Sequence, residues 1–254
     1  MTPLSVVVIT YNEEKNIGRC IASVNAVADE VVVLDSFSTD RTAAIVKEMG
    51  GKLFQQAFPG YGAQKNAAAR LATHTHVLFL DADEFLSDEL CNSILQEKRK
   101  GFSGDGFTMN RLNNYCGQWI RHGSWYPDRK LRIIDRQKGN WNNDIVHESL
   151  VLEENARILH LKGDLLHNTY SNFDAHVEKN NRYSKLSAQL LFQKGKRTNA
   201  FKIVLNPFWA FFTSYIMRAG FLDGFYGYVI AVNIAHLTFL KYSKLYQLQR
   251  RRKG

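Results

Sequence analysis

The chain has 254 residues, 45% of them hydrophobic and 22% charged, with a formal net charge of +9. That length can bury a sizeable core, which excludes a mini-protein, and three widely spaced cysteines, Cys20, Cys91 and Cys116, match neither a disulfide framework nor a zinc knuckle. The positive balance suits an anionic partner, whether nucleic acid, an acidic membrane surface or a phosphorylated substrate, and does not choose among them.

Met1-Thr2-Pro3-Leu4 leads straight into an apolar segment, without the basic region and small-residue cleavage site of a secretory signal, so the expectation is a protein kept in the cytoplasm. Four short runs rich in β-branched or aromatic residues follow as predicted strands: Leu4–Thr10, Glu30–Asp35, Lys52–Gln55 and His76–Asp81. Between them, residues 14–24, 40–49 and 62–72 have helical spacing. Alternating strand and helix implies right-handed crossovers and a parallel sheet, hence an α/β nucleotide-binding architecture. In such sheets ligands bind outside the carboxyl ends of the strands, where Asp35 and Asp81 stand.

From 101 to 163 the pattern shifts to glycines, aromatics and short alternating runs such as 105–111 and 130–135, predicting a mixed β region with loops. Beyond His167 the chain turns helical, with Phe173–Gln193 amphipathic and 201–240 apolar, before the basic tail Arg250-Arg251-Arg252-Lys253. The expected division is 1–100 for a nucleotide-binding half, 101–166 for a second half of the same domain and 167–254 for a helical, membrane-associated region.

The chemistry concentrates at the strand ends. After the first strand comes Tyr11-Asn12-Glu13-Glu14, where an aromatic ring and a carboxylate can stack on and hydrogen-bond a nucleoside; the alternative is a turn with a helix N-cap at Asn12. Asp35 can accept the imide N–H of a uracil, while Ser38, Thr39 or Asp40 caps the next helix. Gly60-Tyr61-Gly62-Ala63-Gln64-Lys65-Asn66 puts a lysine in the first turn of a helix, which disfavours the macrodipole unless an anion such as a diphosphate sits there; a solvated lysine is the alternative.

Val77-Leu78-Phe79-Leu80-Asp81-Ala82-Asp83-Glu84 carries the most chemistry. Three carboxylates crowd the end of a buried strand, and a hard divalent cation, Mg²⁺ or Mn²⁺, bridging carboxylate and diphosphate oxygens relieves their repulsion. The alternative is an exposed acidic turn ahead of a helix capped by Ser87.

Taken in order, Thr10-Tyr11-Asn12-Glu13, Asp35 with Ser38-Thr39-Asp40, Lys65-Asn66 and Asp81-Ala82-Asp83-Glu84 resemble the motifs of glycosyltransferase family 2. The resemblance is strong over about the first hundred residues. It implies a GT-A fold, Rossmann-like with a mixed central sheet, and inversion at the anomeric carbon. It also implies Tyr11, Glu13 and Asp35 at the nucleoside, Lys65 near base or phosphate, Asp81 near ribose or sugar, and Asp83 at the metal. Further on, Trp125-Tyr126-Pro127-Asp128-Arg129-Lys130-Leu131-Arg132 and Val146-His147-Glu148 resemble the bacterial branch that adds glucose to the lipopolysaccharide inner core. An inverting transfer needs a carboxylate to take the acceptor proton; Glu148 is the candidate, with His147 a metal ligand, an acceptor contact or a structural residue. Trp125, Tyr126, Arg129 and Arg132 suit a phosphorylated sugar acceptor, since rings stack on pyranoses and guanidinium groups grip phosphates; an ordinary loop around a buried Trp is the alternative.

The apolar runs 203–217 and 225–240 have no charged residue, yet each falls short of the roughly 20 residues that span a bilayer. With the aromatics Trp209, Tyr215, Tyr226 and Tyr228 and the basic tail, they predict peripheral attachment to the inner face of the inner membrane; a helical pair buried against protein is the alternative. The expected activity is therefore transfer of glucose from UDP-glucose to a heptose of the lipopolysaccharide core, with a polyprenyl phosphate or another envelope glycan as the alternative acceptor. Nucleic-acid binding, from the basic charge, is opposed by the acidic strand ends and by the lack of interleaved aromatics. A nucleotidyltransferase is opposed by the lack of a glycine-rich triphosphate loop.

Overall fold

The computed structural model describes residues 1–142 and 148–251. The chain opens with β1 (Leu4–Thr10), α1 (Ile17–Val24), β2 (Glu30–Asp35), α2 (Thr42–Glu48), β3 (Lys52–Gln55), α3 (Tyr61–Leu71) and β4 (His76–Asp81). The four strands pair in parallel in the order β3-β2-β1-β4. Every residue of β1 is buried, as befits a parallel strand covered on both faces, and its side chains alternate between two clusters. Val6 and Val8 join Ile17 and Ile21 of α1 on one face; Val7 and Ile9 join Ala67 and Ala68 of α3 on the other.

The first helix starts at Ile17, three residues later than its spacing predicts, because Asn12 is spent elsewhere. Asn12 has a left-handed backbone (φ 53°), its N–H donates to Ser38 Oγ at 2.8 Å, and its side-chain oxygen accepts from Thr39 N–H at 2.8 Å. It ties together the two turns that follow β1 and β2 instead of capping a helix.

After β4 come β5 (Glu84–Leu86) and α4 (Asp88–Lys100). This helix obeys the local rules in full: Ser87 Oγ accepts from Leu90 N–H, Asp88 and Glu89 lie in the first turn, Lys98 to Lys100 in the last, and Gly101 ends it with a left-handed backbone. The rest of the sheet is β6 (Gly106–Tyr115), β7 (Gln118–Ile120), β8 (Asp128–Asp135) and β11 (Ile158–Tyr170), while β9 (Gly139–Trp141) and β10 (Leu150–Leu152) pair antiparallel as a separate two-stranded sheet. β8 runs antiparallel to β4, making the sheet mixed, and its order continues β4-β8-β6-β11-β5 with β7 on β6. Gly163 of β11 adopts φ +91°, and a Cβ there would meet the backbone nitrogen of Leu90 at 2.3 Å, so glycine alone lets this strand pass the start of α4.

The chain then forms α5 (Phe173–Gln193), α6 (Ala200–Phe212) and α7 (Gly224–Arg251). By its contacts it divides into one unit of Met1–Arg111 with Asp128–His167, and a second of Leu112–Pro127 with Asn168–Gly254. The second unit has its own aromatic core. Tyr115, fully buried, meets the rings of Trp125, Tyr170, His176 and Tyr226 at centroid distances of 5.3 to 5.8 Å. Asn180 of α5 and Asn233 of α7, both buried, hydrogen-bond at 3.2 Å. Among the described residues no helix is long and apolar enough to cross a membrane.

Candidate functional site

Strand register builds the site. Thr10 stands opposite Asp35, and Ile9 opposite Asp81, so the carboxyl ends of β1, β2 and β4 share one edge. Tyr11, at that edge, is 58% exposed and leaves a ring face open to a ligand. Glu13 donates its N–H to Thr42 Oγ1 and accepts from Asn16 Nδ2 at 2.8 Å. Burial lifts its carboxyl above the usual carboxylate range; Asn16 opposes this, and the nearby Asp83, Asp40 and Asp81 push the same way as burial.

Asp35 is fully buried, and its own chain already occupies it. The carboxylate accepts from Ser38 N–H at 2.9 Å, from Ser38 Oγ, and from Gln55 Nε2 at 2.9 Å. Its evident work is to fix the turn after β2. None of the three cap candidates stands at the N-cap of α2, which is Arg41 and makes no side-chain cap bond; Asp40, one residue earlier, accepts from Thr42 N–H through Oδ1 at 2.9 Å.

Asp81, Glu84, Lys65 and Arg132 form one buried charge network. Lys65 Nζ lies 2.9 Å from Asp81 Oδ1, 4.0 Å from Glu148 Oε1 and 4.3 Å from the centre of the Trp141 ring. Lys65 is thus not a solvated lysine but a buried one paired with Asp81. Arg132 NH2 lies 2.5 Å from Glu84 Oε1 and 3.3 Å from Asp81 Oδ2. Burial would raise the Asp81 carboxyl, yet Lys65 and Arg132 together hold it well below the usual carboxylate range. Asp81 therefore stays an anion, able to accept from hydroxyl groups.

Arg132, expected among the acceptor-binding residues, lies inside this network. It is 3% exposed and its guanidinium is engaged by Glu84, itself without exposed surface. Its neighbour in the motif, Arg129, is exposed. Trp125 and Tyr126 belong to the second unit, where Trp125 is half-buried in the aromatic core, 5.6 Å from Tyr115 and 5.9 Å from Tyr170. That is the loop-around-a-Trp alternative, and it leaves Trp125 as packing.

Glu148 follows residues 143–147, which lie outside the described residues, as therefore does His147. Glu148 itself is partly exposed. The chain just before and after is held: Asn142 N–H donates to Ser149 O at 3.0 Å, Ser149 N–H to Asn142 Oδ1 at 2.9 Å, and Asn66 clamps Trp141 through both its N–H and its carbonyl. The lysine-asparagine pair at the start of α3 thus does two jobs, Asn66 fixing β9 and Lys65 approaching Glu148.

Sequence reasoning missed His167. β11 pairs antiparallel with β5 so that His167 stands opposite Glu84, which brings its Nε2 to 3.2 Å from Asp83 Oδ2. No local spacing announces a partner 84 residues away; only the strand pairing does. Imidazole nitrogen and carboxylate oxygen suit a borderline or hard divalent cation. Among the described residues no group of three His, Cys, Asp or Glu side chains comes together to hold a metal ion. A cation at Asp83 and His167 would complete its shell from a bound ligand, as Mg²⁺ commonly does with phosphates.

The comparisons with known proteins agree with this layout. The family model described as Glycosyl transferase family 2 matches residues 5–156. The chain is 31% identical over 251 residues to the lipopolysaccharide core biosynthesis glycosyltransferase LpsC of Rhizobium meliloti, covering 96% of this chain and 92% of that one. It is 30% identical over 257 residues to an uncharacterised glycosyltransferase of Rickettsia typhi, covering 98% and 88%. Among solved structures it shares its fold with the mannosyltransferase PcManGT from Pyrobaculum calidifontis in complex with GDP-Man and Mn²⁺, at 17% identity, with a TM-score of 0.58 over 96% of this chain and 87% of that chain. A mixed sheet of GT-A type, carboxylates gathered at the ends of its parallel strands, and a family match over more than half its length make this chain a member of glycosyl transferase family 2, and a glycosyltransferase.

Proposed function

We propose that the enzyme transfers glucose from UDP-glucose, with inversion, to a heptose of the lipopolysaccharide or lipooligosaccharide inner core. The observation that carries the acceptor class is the near full-length similarity to LpsC, a lipopolysaccharide core biosynthesis glycosyltransferase. The geometry supports the chemistry. Tyr11 offers a face for the base, and Asp81, kept ionised by Lys65 and Arg132, accepts hydrogen bonds from sugar hydroxyls. A divalent cation, Mg²⁺ or Mn²⁺, held at Asp83 and His167 would offset the charge of the departing diphosphate. The acceptor hydroxyl attacks the anomeric carbon as Glu148 takes its proton and the bond to the diphosphate oxygen breaks. Lys65 Nζ lies 4.0 Å from Glu148 Oε1, so the proposed base stands beside the β4 charge network. Arg129 is exposed, which supports a role in gripping a phosphate of the acceptor.

The test is a panel of nucleotide sugars with Mn²⁺, each offered to a heptose-bearing core glycolipid and to a polyprenyl phosphate, with released nucleotide diphosphate as the readout. Release should be greatest with UDP-glucose and the core glycolipid. Preference for the polyprenyl phosphate would refute the acceptor; preference for another nucleotide sugar would refute the donor.

A further inference from the structure

The helix α6 buries none of its residues. Its sequence is among the most apolar in the chain, so a helix with this composition and no buried side chain lacks a partner for one face. Phe201, Val204, Leu205, Phe208 and Phe212 follow helical spacing along one stripe, with Trp209 beside them. Phe201 is 70% exposed, Phe208 72% and Trp209 61%. The opposite side is already used: Ile203, Ala210 and Phe211 are half-buried, and the Phe211 ring lies 6.0 Å from that of Tyr228 on α7. The exposed stripe continues past the helix through Ile216, Met217 and Leu222.

Charge identifies what would cover it. Residues 203–217 contain no charged side chain and are bracketed by Lys202 and Arg218, both exposed. Residues 179–254 hold fourteen Lys and Arg against one acid, Asp223, a net of +13. The whole chain carries +9, so residues 1–178 carry −4. Asp223 is buried, its carboxylate accepting from the N–H groups of Arg121 and His122 and paired with the His122 ring, so no exposed carboxylate interrupts this surface among the described residues. Gln249 of α7 bonds to the backbone beside Lys196 and Thr198, which gathers the exposed Lys194, Lys196 and Arg197 with Lys202 and Arg250 at one end of the α6–α7 pair.

We propose that the α6 stripe docks on a lipid bilayer bearing anionic headgroups, the rings of Phe201, Phe208 and Trp209 entering the interface while the basic end pairs with phosphates. A second copy of the chain is the poorer occupant, because face-to-face pairing brings together two surfaces of like charge. An apolar stripe with interfacial aromatics, rimmed by Lys and Arg, is the pattern of a helix lying in the membrane plane, and an anionic leaflet attracts such a rim.

The full chain is sedimented with vesicles of phosphatidylcholine mixed with phosphatidylglycerol and with vesicles of phosphatidylcholine alone, without donor or acceptor, so that failure here is distinct from failure of the transferase reading. Binding should favour the anionic vesicles, weaken as salt is raised, and fall by about tenfold or more in Phe208→Glu/Trp209→Glu. A circular dichroism spectrum matching wild type shows that this variant is folded, as expected of exposed positions. Wild-type protein that ignores anionic vesicles, or a folded variant that binds them equally well, overturns the proposal. So does a wild-type dimer in light scattering that the variant converts to monomer while vesicle binding is unchanged.

Discussion

Arg132 sits where a wrong assignment has a measurable cost. Its nearest carboxylate, Glu84, has no exposed surface, and the guanidinium of Arg111 lies 3.5 Å from it against 2.5 Å for Arg132. Arg132→Ala should therefore cost about 3–5 kcal/mol by stranding a buried charge, whereas Arg129→Ala should stay within about 0.5 kcal/mol. Equilibrium urea unfolding of the two variants decides the matter, and equal stabilities would refute the buried network. Asp83→Ala should lower kcat by at least about a hundredfold, the scale of losing a major electrostatic group. His167→Ala should raise the Mn²⁺ concentration needed for half-maximal activity by at least about tenfold. His147→Ala is the control; if it raises the requirement and His167→Ala does not, the ligand pair is misassigned. Asp83 stood out in the sequence because three carboxylates crowd one strand end. His167 was not, since what makes it notable is its place opposite Glu84 in the sheet, a pairing that no local pattern encodes.

At the scale of elements, β1 to β4 lie at their predicted bounds; in β1, β2 and β4 buried apolar runs leave little choice of structure, and β3 follows as the mostly exposed edge strand. Helix starts were less legible. The delay of α1 to Ile17 follows from Asn12 bonding Ser38 and Thr39, a contact made across the sheet edge. β5 hid inside what read as an acidic turn, being three residues whose role appears only when β11 pairs with them. The aromatic core of the second unit makes its own forecast. His176 on α5 is 3% exposed, its Nδ1 3.1 Å from Tyr115 Oη, and burial lowers its pKa from the ordinary 6.5 to about 4, with Lys179 pushing the same way. A lowered histidine pKa means that the unfolded chain binds the proton first. This unit should thus hold its full stability above the ordinary value and lose up to about 3 kcal/mol as pH falls from there towards the folded one. Thermal unfolding of wild type and His176→Gln across that window checks the sign: the variant should show a flatter dependence, and an equally steep one would exclude His176 as the source.

Over the whole molecule, the division of charge parallels the division of labour: residues 1–178, which hold the carboxylates at the strand ends, are net negative, and the remaining residues are strongly positive. The acidic strand ends would repel a donor's anionic diphosphate unless a cation intervened, the role proposed for one held at Asp83 and His167. What converts a donor site into a transferase is the base. Glu148 lies 4.0 Å from Lys65 and next to the Asn142 to Ser149 clamp. The decisive measurement is steady-state release of UDP from UDP-glucose, with Mn²⁺ and a heptose-bearing acceptor, for wild type and Glu148→Gln. The substitution keeps the shape and removes the basicity, so kcat should fall about a hundred- to ten-thousandfold while donor KM stays near wild type. A Glu148→Gln enzyme that transfers at close to the wild-type rate would contradict the account.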